Sequence, residues 1–115
     1  SLKRKIILVT LKIIFSNNGI IKFFEELGTA LSDKILDKLE GFQKIDFLSL
    51  VKAEHIKKVE DKLFEVRIRH KNISYRFMGT TKNHTFWLVH AIKKKGNKLS
   101  RRDINLALER IKQII

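Results

Sequence analysis

Between residues 63 and 78, apolar and polar side chains alternate with a period of two, and the pattern breaks once, at Lys71-Asn72. Phe64, Val66 and Ile68 alternate with Glu65, Arg67 and Arg69; Tyr75 and Phe77 alternate with Ser74 and Arg76. Strict alternation puts one set of side chains on each face of a sheet. A two-residue loop at Lys71-Asn72, where Asn tolerates the left-handed backbone, sets the pairing between the two strands. Ile68 then faces Tyr75 and Val66 faces Phe77 on an apolar side. Arg67 faces Arg76 on the other side, with Glu65, Arg69 and Ser74 nearby. A one-residue slip would turn every apolar side chain to the wrong face, so pattern and turn specify the same register.

The flanking segments must cover that apolar face. Residues 6–15 are apolar on both faces and read as a strand inside a sheet. The Lys3-Arg4-Lys5 cluster before them resembles a secretory start. However, the apolar run is short, contains Lys12 and lacks a small-residue cleavage site. It is also too short to cross a bilayer, so no membrane association is expected. Asn17-Asn18 caps a helix whose apolar stripe is Ile20, Phe23, Phe24 and Leu27, and Gly28 ends it. A second helix carries Leu31, Ile35, Leu39 and Phe42. Residues 46–61 extend this helix or form a loop. Residues 85–92 read as a central strand following a second turn at Lys82-Asn83. That register sends Phe86, Leu88, His90 and Ile92 to the core, and Trp87, Val89, Ala91 and Lys93 to the arginine face. Ser100 and Asp103 form a capping box, Leu99 and Ile104 a hydrophobic staple, and the last helix presents Ile104, Ala107, Leu108 and Ile111.

The expected fold class is thus α+β, in a single domain over residues 1–115. It comprises a small antiparallel-type sheet, made of an N-terminal strand and a three-stranded C-terminal meander. The helix pair and the C-terminal helix lie on one face, and the opposite face is cationic. Charge supports such a face. The chain carries 25 Lys+Arg against 12 Asp+Glu, and residues 61–115 alone account for +10 of the net +13. So basic a half suits a polyanion or an acidic protein partner. There is no Cys, which removes disulfides, thiolate metal sites and a cysteine nucleophile together, and fits a cytoplasmic location. His55, His70, His84 and His90 have no metal-site spacing. His84 and His90, six apart on a strand, are separated by roughly 20 Å. Neither metal nor cofactor is expected.

Arg67 opposite Arg76 carries the chemistry. Like charges facing each other across strands destabilise a sheet unless something compensates them. Either Glu65 neutralises the pair, or both arginines extend into solvent, or the two guanidiniums are spaced to grip a phosphate. Lys93, Lys94 and Lys95 continue the cationic surface, with Trp87 as a stacking candidate.

Four segments in order resemble the RelE/ParE toxin superfamily, and more narrowly its phage-derived HigB-like branch. They are Leu63-Phe64-Glu65-Val66-Arg67, then Tyr75-Arg76-Phe77, then Leu88-Val89-His90-Ala91-Ile92-Lys93-Lys94, then residues 101–111. The likeness covers residues 57–112 well and residues 13–45 as a helix-pair outline. Ser100 stands where many members carry Pro, and the last helix has no Tyr.

The resemblance implies a RelE-like fold and the toxin of a toxin–antitoxin pair: an endoribonuclease that cuts mRNA on the ribosome without a metal. Its partners would be mRNA and a helix-turn-helix antitoxin that covers the cationic face. Attack of a ribose 2′-hydroxyl on the adjacent phosphate needs a base, cations for the developing charge and an acid for the leaving oxygen. Arg67 and Arg76 match the family's basic positions and suit charge stabilisation, since arginine stays protonated. Lys93 or Lys94, crowded by cations, and Glu65 are the candidate bases. His90 matches the family's Leu-His pattern but is expected to face the core. Arg69, Lys95, Lys98 and Arg101 would hold the RNA backbone. Two alternatives differ in class: a ParE-like inhibitor of gyrase, and a non-catalytic basic nucleic-acid-binding module.

Overall fold

The computed structural model describes residues 12–94, 96 and 98–115. Of the strand expected over residues 6–15, only β1 (Lys12–Phe15) is among them. Helices α1 (Asn18–Leu27), α2 (Thr29–Phe42) and α3 (Phe47–Lys52) follow. Strands β2 (Ile56–Glu60), β3 (Leu63–His70), β4 (Ile73–Lys82) and β5 (Thr85–Lys94) form a meander, and α4 (Arg101–Ile111) comes last. The sheet order is β1-β5-β4-β3-β2. The class is α+β, as expected, but the sheet is mixed: β1 lies parallel to β5, and the other pairs are antiparallel.

Local chemistry explains the elements. Asn17 caps α1 by accepting from the Ile20 N–H at 3.3 Å, and its Nδ2 donates to the Val89 carbonyl at 2.9 Å, tying the helix start to β5. Gly28, at φ 86°, makes the sharp corner into α2. Asp46 caps α3; the Ser49 N–H and hydroxyl hold its carboxyl below the ordinary range. Lys71 and Asn72 both have positive φ, 49° and 67°, so the β3–β4 turn is the tight left-handed hairpin turn expected. The register follows: Ile68 opposite Tyr75, Arg67 opposite Arg76 and Val66 opposite Phe77.

The ambiguous segment 46–61 resolves into α3 and a fifth strand. β2 hid because its register shifts between Lys58 and Glu60. That irregularity erases the two-residue alternation by which a strand is recognised.

Two cores lie on opposite faces of the sheet. On one face Val66, Ile68, Tyr75, Phe77, Phe86 and Leu88 pack against Ile20, Phe24, Ile35, Leu39 and Leu50 of the first three helices. There Phe24 stacks between Phe15 and Phe77, with ring centroids 5.2 and 5.5 Å away. On the other face Leu63, Met78 and Val89 pack against Ile104, Ala107 and Ile111. The expectation that the C-terminal helix shares a face with the helix pair is therefore corrected. Leu63, Met78 and Val89 make an apolar patch on the arginine side, and α4 buries it.

The second turn is also corrected. Asn83 and His84, with φ 54° and 58°, form the loop and not Lys82-Asn83. Thr81 faces Phe86 and Gly79 faces Leu88, but Met78 faces His90, so Val89 is an extra residue in β5. This bulge inverts the facing of everything after it. His90, Ile92 and Lys94 turn to the arginine side, while Ala91 and Lys93 turn to the side of Tyr75 and Phe77. Gly79 permits the bulge. A Cβ there would overlap the Trp87 carbonyl oxygen and lie 2.9 Å from its carbon.

Candidate active site

The arginine pair forms as the hairpin dictates, and Glu65 lies between its members. Glu65 Oε1 accepts from Arg67 Nη2 at 3.0 Å, and Glu65 Oε2 accepts from Arg76 Nε at 2.6 Å. One carboxylate bridging two guanidiniums removes the repulsion that the register would otherwise build in. Of the two readings of Glu65, the counter-ion reading describes its contacts.

The arginines are not equivalent. Arg76 is 2% exposed and Glu65 3%, whereas the Arg67 side chain keeps 28% of its surface. Arg76 thus departs from the expectation that both guanidiniums lie on the open face of the hairpin. α4 roofs the neighbouring apolar patch, and Arg76 is enclosed with its counter-ion. Arg67 is the more accessible member of the pair. Its Nε is a buried donor with no acceptor among the described residues.

The remaining candidates scatter. Lys94 is half-buried and on the arginine side; Arg76 faces Ile92, so Lys94 is its diagonal neighbour, roughly 7–8 Å away. Lys94 Nζ donates to the Lys98 carbonyl at 3.3 Å, which brings Lys98 next to it. Lys93, opposite Tyr75, projects from the other face and does not join the pair. Arg69 is exposed, one step further along β3 on the arginine side. Arg101 pairs with Glu60 at 2.7 Å on the surface, a contact that contributes little to stability. Lys95 lies outside the described residues. Trp87 Nε1 donates to the Lys82 carbonyl at 3.3 Å, holding the indole at the β4–β5 turn, away from the arginines.

A second polar cluster lies on the arginine side, with no signal in the sequence for its assembly. His90 turns to the arginine side because of the bulge, and its Nε2 meets Asp103 Oδ1 at 2.9 Å. Ser100 accepts from the Asp103 N–H at 3.1 Å and donates its hydroxyl to Asp103 Oδ2 at 2.6 Å. Arg110 closes the cluster, donating to the Val89 carbonyl at 2.8 Å beside His90 Nδ1 at 3.4 Å. The Ser100–Asp103 cap was legible in the sequence; its junction with His90 depends on one extra residue in β5.

Burial pushes the Asp103 carboxyl up. Hydrogen bonds from Ser100 and His90 and the electrostatic pull of His90 and Lys94 outweigh it and hold the group below its ordinary value of 3.8. A lowered folded-state value stabilises the fold above the ordinary carboxyl range, and that stability is lost as pH falls through the lowered value. Asp103→Asn is therefore expected to lower stability at neutral pH and to flatten the acid limb below about pH 4. Urea titrations across pH measure this; an unchanged acid limb in the variant would refute it.

The fold is a small α+β architecture consistent with a RelE-like fold, and a carboxylate-bridged arginine pair lies on one face of its sheet. The chain belongs to the family described as Phage derived protein Gp49-like (DUF891), which matches residues 22–112 and is a RelE/toxin-like family. No curated protein and no solved structure matches it. Among the described residues, no helix is long and apolar enough to cross a membrane.

Proposed function

We propose that this chain is the toxin of a toxin–antitoxin module and that it cuts mRNA on the ribosome, as the HigB-like branch does. Membership of a RelE/toxin-like family supports the toxin and, with it, an antitoxin partner. One observation carries the RNA-cleaving reading: a buried Arg76–Glu65 pair that holds a more exposed Arg67 on a strongly basic face.

In this reading Arg67 meets the scissile phosphate and stabilises the charge that develops on its oxygens as the 2′-hydroxyl attacks. Arg76 acts through Glu65 as a positioning residue, because a guanidinium fixed by a bridged carboxylate need not reorganise during the reaction. Lys94 is the lysine candidate for proton transfer that shares this side, and Arg69 and Lys98 extend the contact with the RNA backbone. Lys93 has no part in it. Glu65, engaged by guanidiniums through both oxygens, serves as counter-ion.

Arg67→Ala removes the exposed donor and leaves the Glu65–Arg76 pair in place. The expected result is a loss of about 10²–10³ in mRNA cleavage on translating ribosomes, with a thermal midpoint close to that of the wild type. Primer extension across a translated message reads the rate. Wild-type cleavage by Arg67→Ala would overturn the role of Arg67. Absence of cleavage by the wild type, with inhibition of gyrase supercoiling, would instead identify the ParE-like activity.

A further inference from the structure

A cleft of about 540 Å³ opens where the end of α2 and the segment after α3 meet β3. That volume lies in the range of small-molecule sites. Phe42, Ile45, His55 and Ile68 form its apolar and aromatic lining. The His55 N–H donates to the Leu50 carbonyl at 2.9 Å, which fixes the start of the segment after α3. The Phe42 and His55 rings are 5.1 Å apart, tilted by 31°, and make a nearly flat aromatic wall. Ile45 and His55 are both exposed, so the wall is open to a ligand.

Lys38, Arg67 and Arg69 supply the charge of the cleft, and among the described residues no carboxylate lines it. Lys38 and Arg69 are exposed. Arg67 gives Nη2 to Glu65, while its Nε has no acceptor among the described residues, so part of the guanidinium remains unspent. An arginine carries five N–H donors, so Arg69 can meet an RNA backbone and still serve a second anion.

We propose that this cleft binds a nucleoside monophosphate unit, with its base against Phe42 and His55 and its phosphate against Lys38, Arg67 and Arg69. Three observations select this ligand. The flat ring pair offers a stacking face, which suits any nucleobase. The three cations, with no carboxylate beside them, call for an anion and suit the several oxygens of a phosphate. The volume takes base, sugar and phosphate together, where a bare phosphate would leave the apolar wall uncovered. Such a unit has two sources, a free mononucleotide or one nucleotide of an RNA strand. Arg67 belongs both to this cleft and to the arginine pair. A free nucleotide seated here competes with the scissile phosphate for that guanidinium, and a strand nucleotide anchors the message beside it. Only this consequence rests on the proposed function; the nucleotide site itself does not.

The test is equilibrium dialysis of the whole chain against radiolabelled adenosine 5′-monophosphate at fixed salt, because charge-driven binding moves with salt. Saturable binding is expected. Adenosine, which lacks the phosphate, and ribose 5-phosphate, which lacks the base, should each compete at least about tenfold more weakly. His55→Ala, at an exposed position, removes half of the ring pair and should weaken binding about tenfold, with melting close to that of the wild type. Lys38→Gln should weaken it about fivefold, whereas Lys112→Gln, which removes the same charge just beyond α4, should change it by less than about twofold. A ten-residue adenylate RNA identifies the source. Affinity above that of the mononucleotide, lost alongside it in His55→Ala, assigns the unit to an RNA strand; any other ranking assigns it to the free nucleotide. No binding at about 1 mM mononucleotide would overturn the proposal. So would ribose 5-phosphate binding as tightly as the nucleotide, or equal losses in Lys38→Gln and Lys112→Gln. A glutamate decapeptide retained as tightly as the nucleotide would make the cleft a general anion site, which also overturns it. Cleavage is not read in any of these measurements, so the nucleotide site and the nuclease reading fail separately.

Discussion

Arg76→Ala is expected to cost about 3–5 kcal/mol of folding stability, the loss typical when one partner of a buried ion pair is removed. Glu65 would be left 3% exposed with its 2.6 Å donor gone and, among the described residues, the more distant Arg67 contact remaining. A single small domain is stable by only about 5–15 kcal/mol, so the variant should show an early urea midpoint or fail to fold at 37 °C. The sequence alone argues for the opposite sign. Two arginines facing each other on an open surface repel, and removing one relieves them. Burial and the Glu65 bridge reverse that sign. The double variant Glu65→Met/Arg76→Met separates the causes. Removing both charges and filling the space with apolar side chains should recover most of the stability, because the pair as a whole adds little over an apolar replacement. An Arg76→Ala variant that melts with the wild type would show that the enclosure does not persist in solution. A single and a double variant equally unstable would show that the side chains act by shape and not by charge.

Gly79→Ala should be nearly as damaging, and for a different reason. The added Cβ would overlap the Trp87 carbonyl and lie 3.2 Å from Leu88 Cα, so two backbones must part. They meet at the bulge, where the Val89 carbonyl accepts both from Asn17, the cap of α1, and from Arg110 on α4. Parting them disturbs a junction that joins both faces of the sheet. A loss of about 3 kcal/mol is expected, at the upper end for overpacking, with a fall in Tm of roughly 10 °C or more. Gly41→Ala is the matched control, since nothing lies within 4 Å of a Cβ there. In the last turn of α2, Ala should hold stability or raise it slightly. A Tm for Gly79→Ala within about 2 °C of the wild type would mean that the sheet absorbs the methyl and that the bulge does not depend on glycine.

The two variants mark where reading the chain succeeds and where it stops. The Arg67–Arg76 register follows from alternation and from two residues able to take positive φ, both local properties. Helices α1 and α2 follow in the same way: Asn17 caps as its side-chain chemistry directs, Gly28 makes the corner, and Ile20, Phe24, Ile35 and Leu39 are the side chains that become buried. Strand β2 is hidden in the sequence because its bulge breaks the period, and the position of α4 because Arg67, Arg69 and Arg76 dominate the pattern of the face it covers. Leu63 and Met78 are visible on that side once the register is known, so the apolar patch that receives α4 has a signal in the sequence, though a diffuse one.

The hairpin, the helix stripes, the Ser100 cap, the basic character of the second half and the facing of Arg67 to Arg76 all follow from local spacing. Each of these rests on spacings within a few residues, where backbone geometry leaves little choice. Long-range packing sets which arginine is enclosed, that His90 and Lys94 face the arginines while Lys93 faces away, and that β3 beyond Val66 pairs with no strand on its outer side among the described residues. Those outcomes depend on one extra residue in β5, admitted because Gly79 lets two backbones approach, and on a helix arriving from the far end of the chain. A bulge reverses the face of every residue after it while leaving composition and periodicity almost untouched, so local pattern cannot report it.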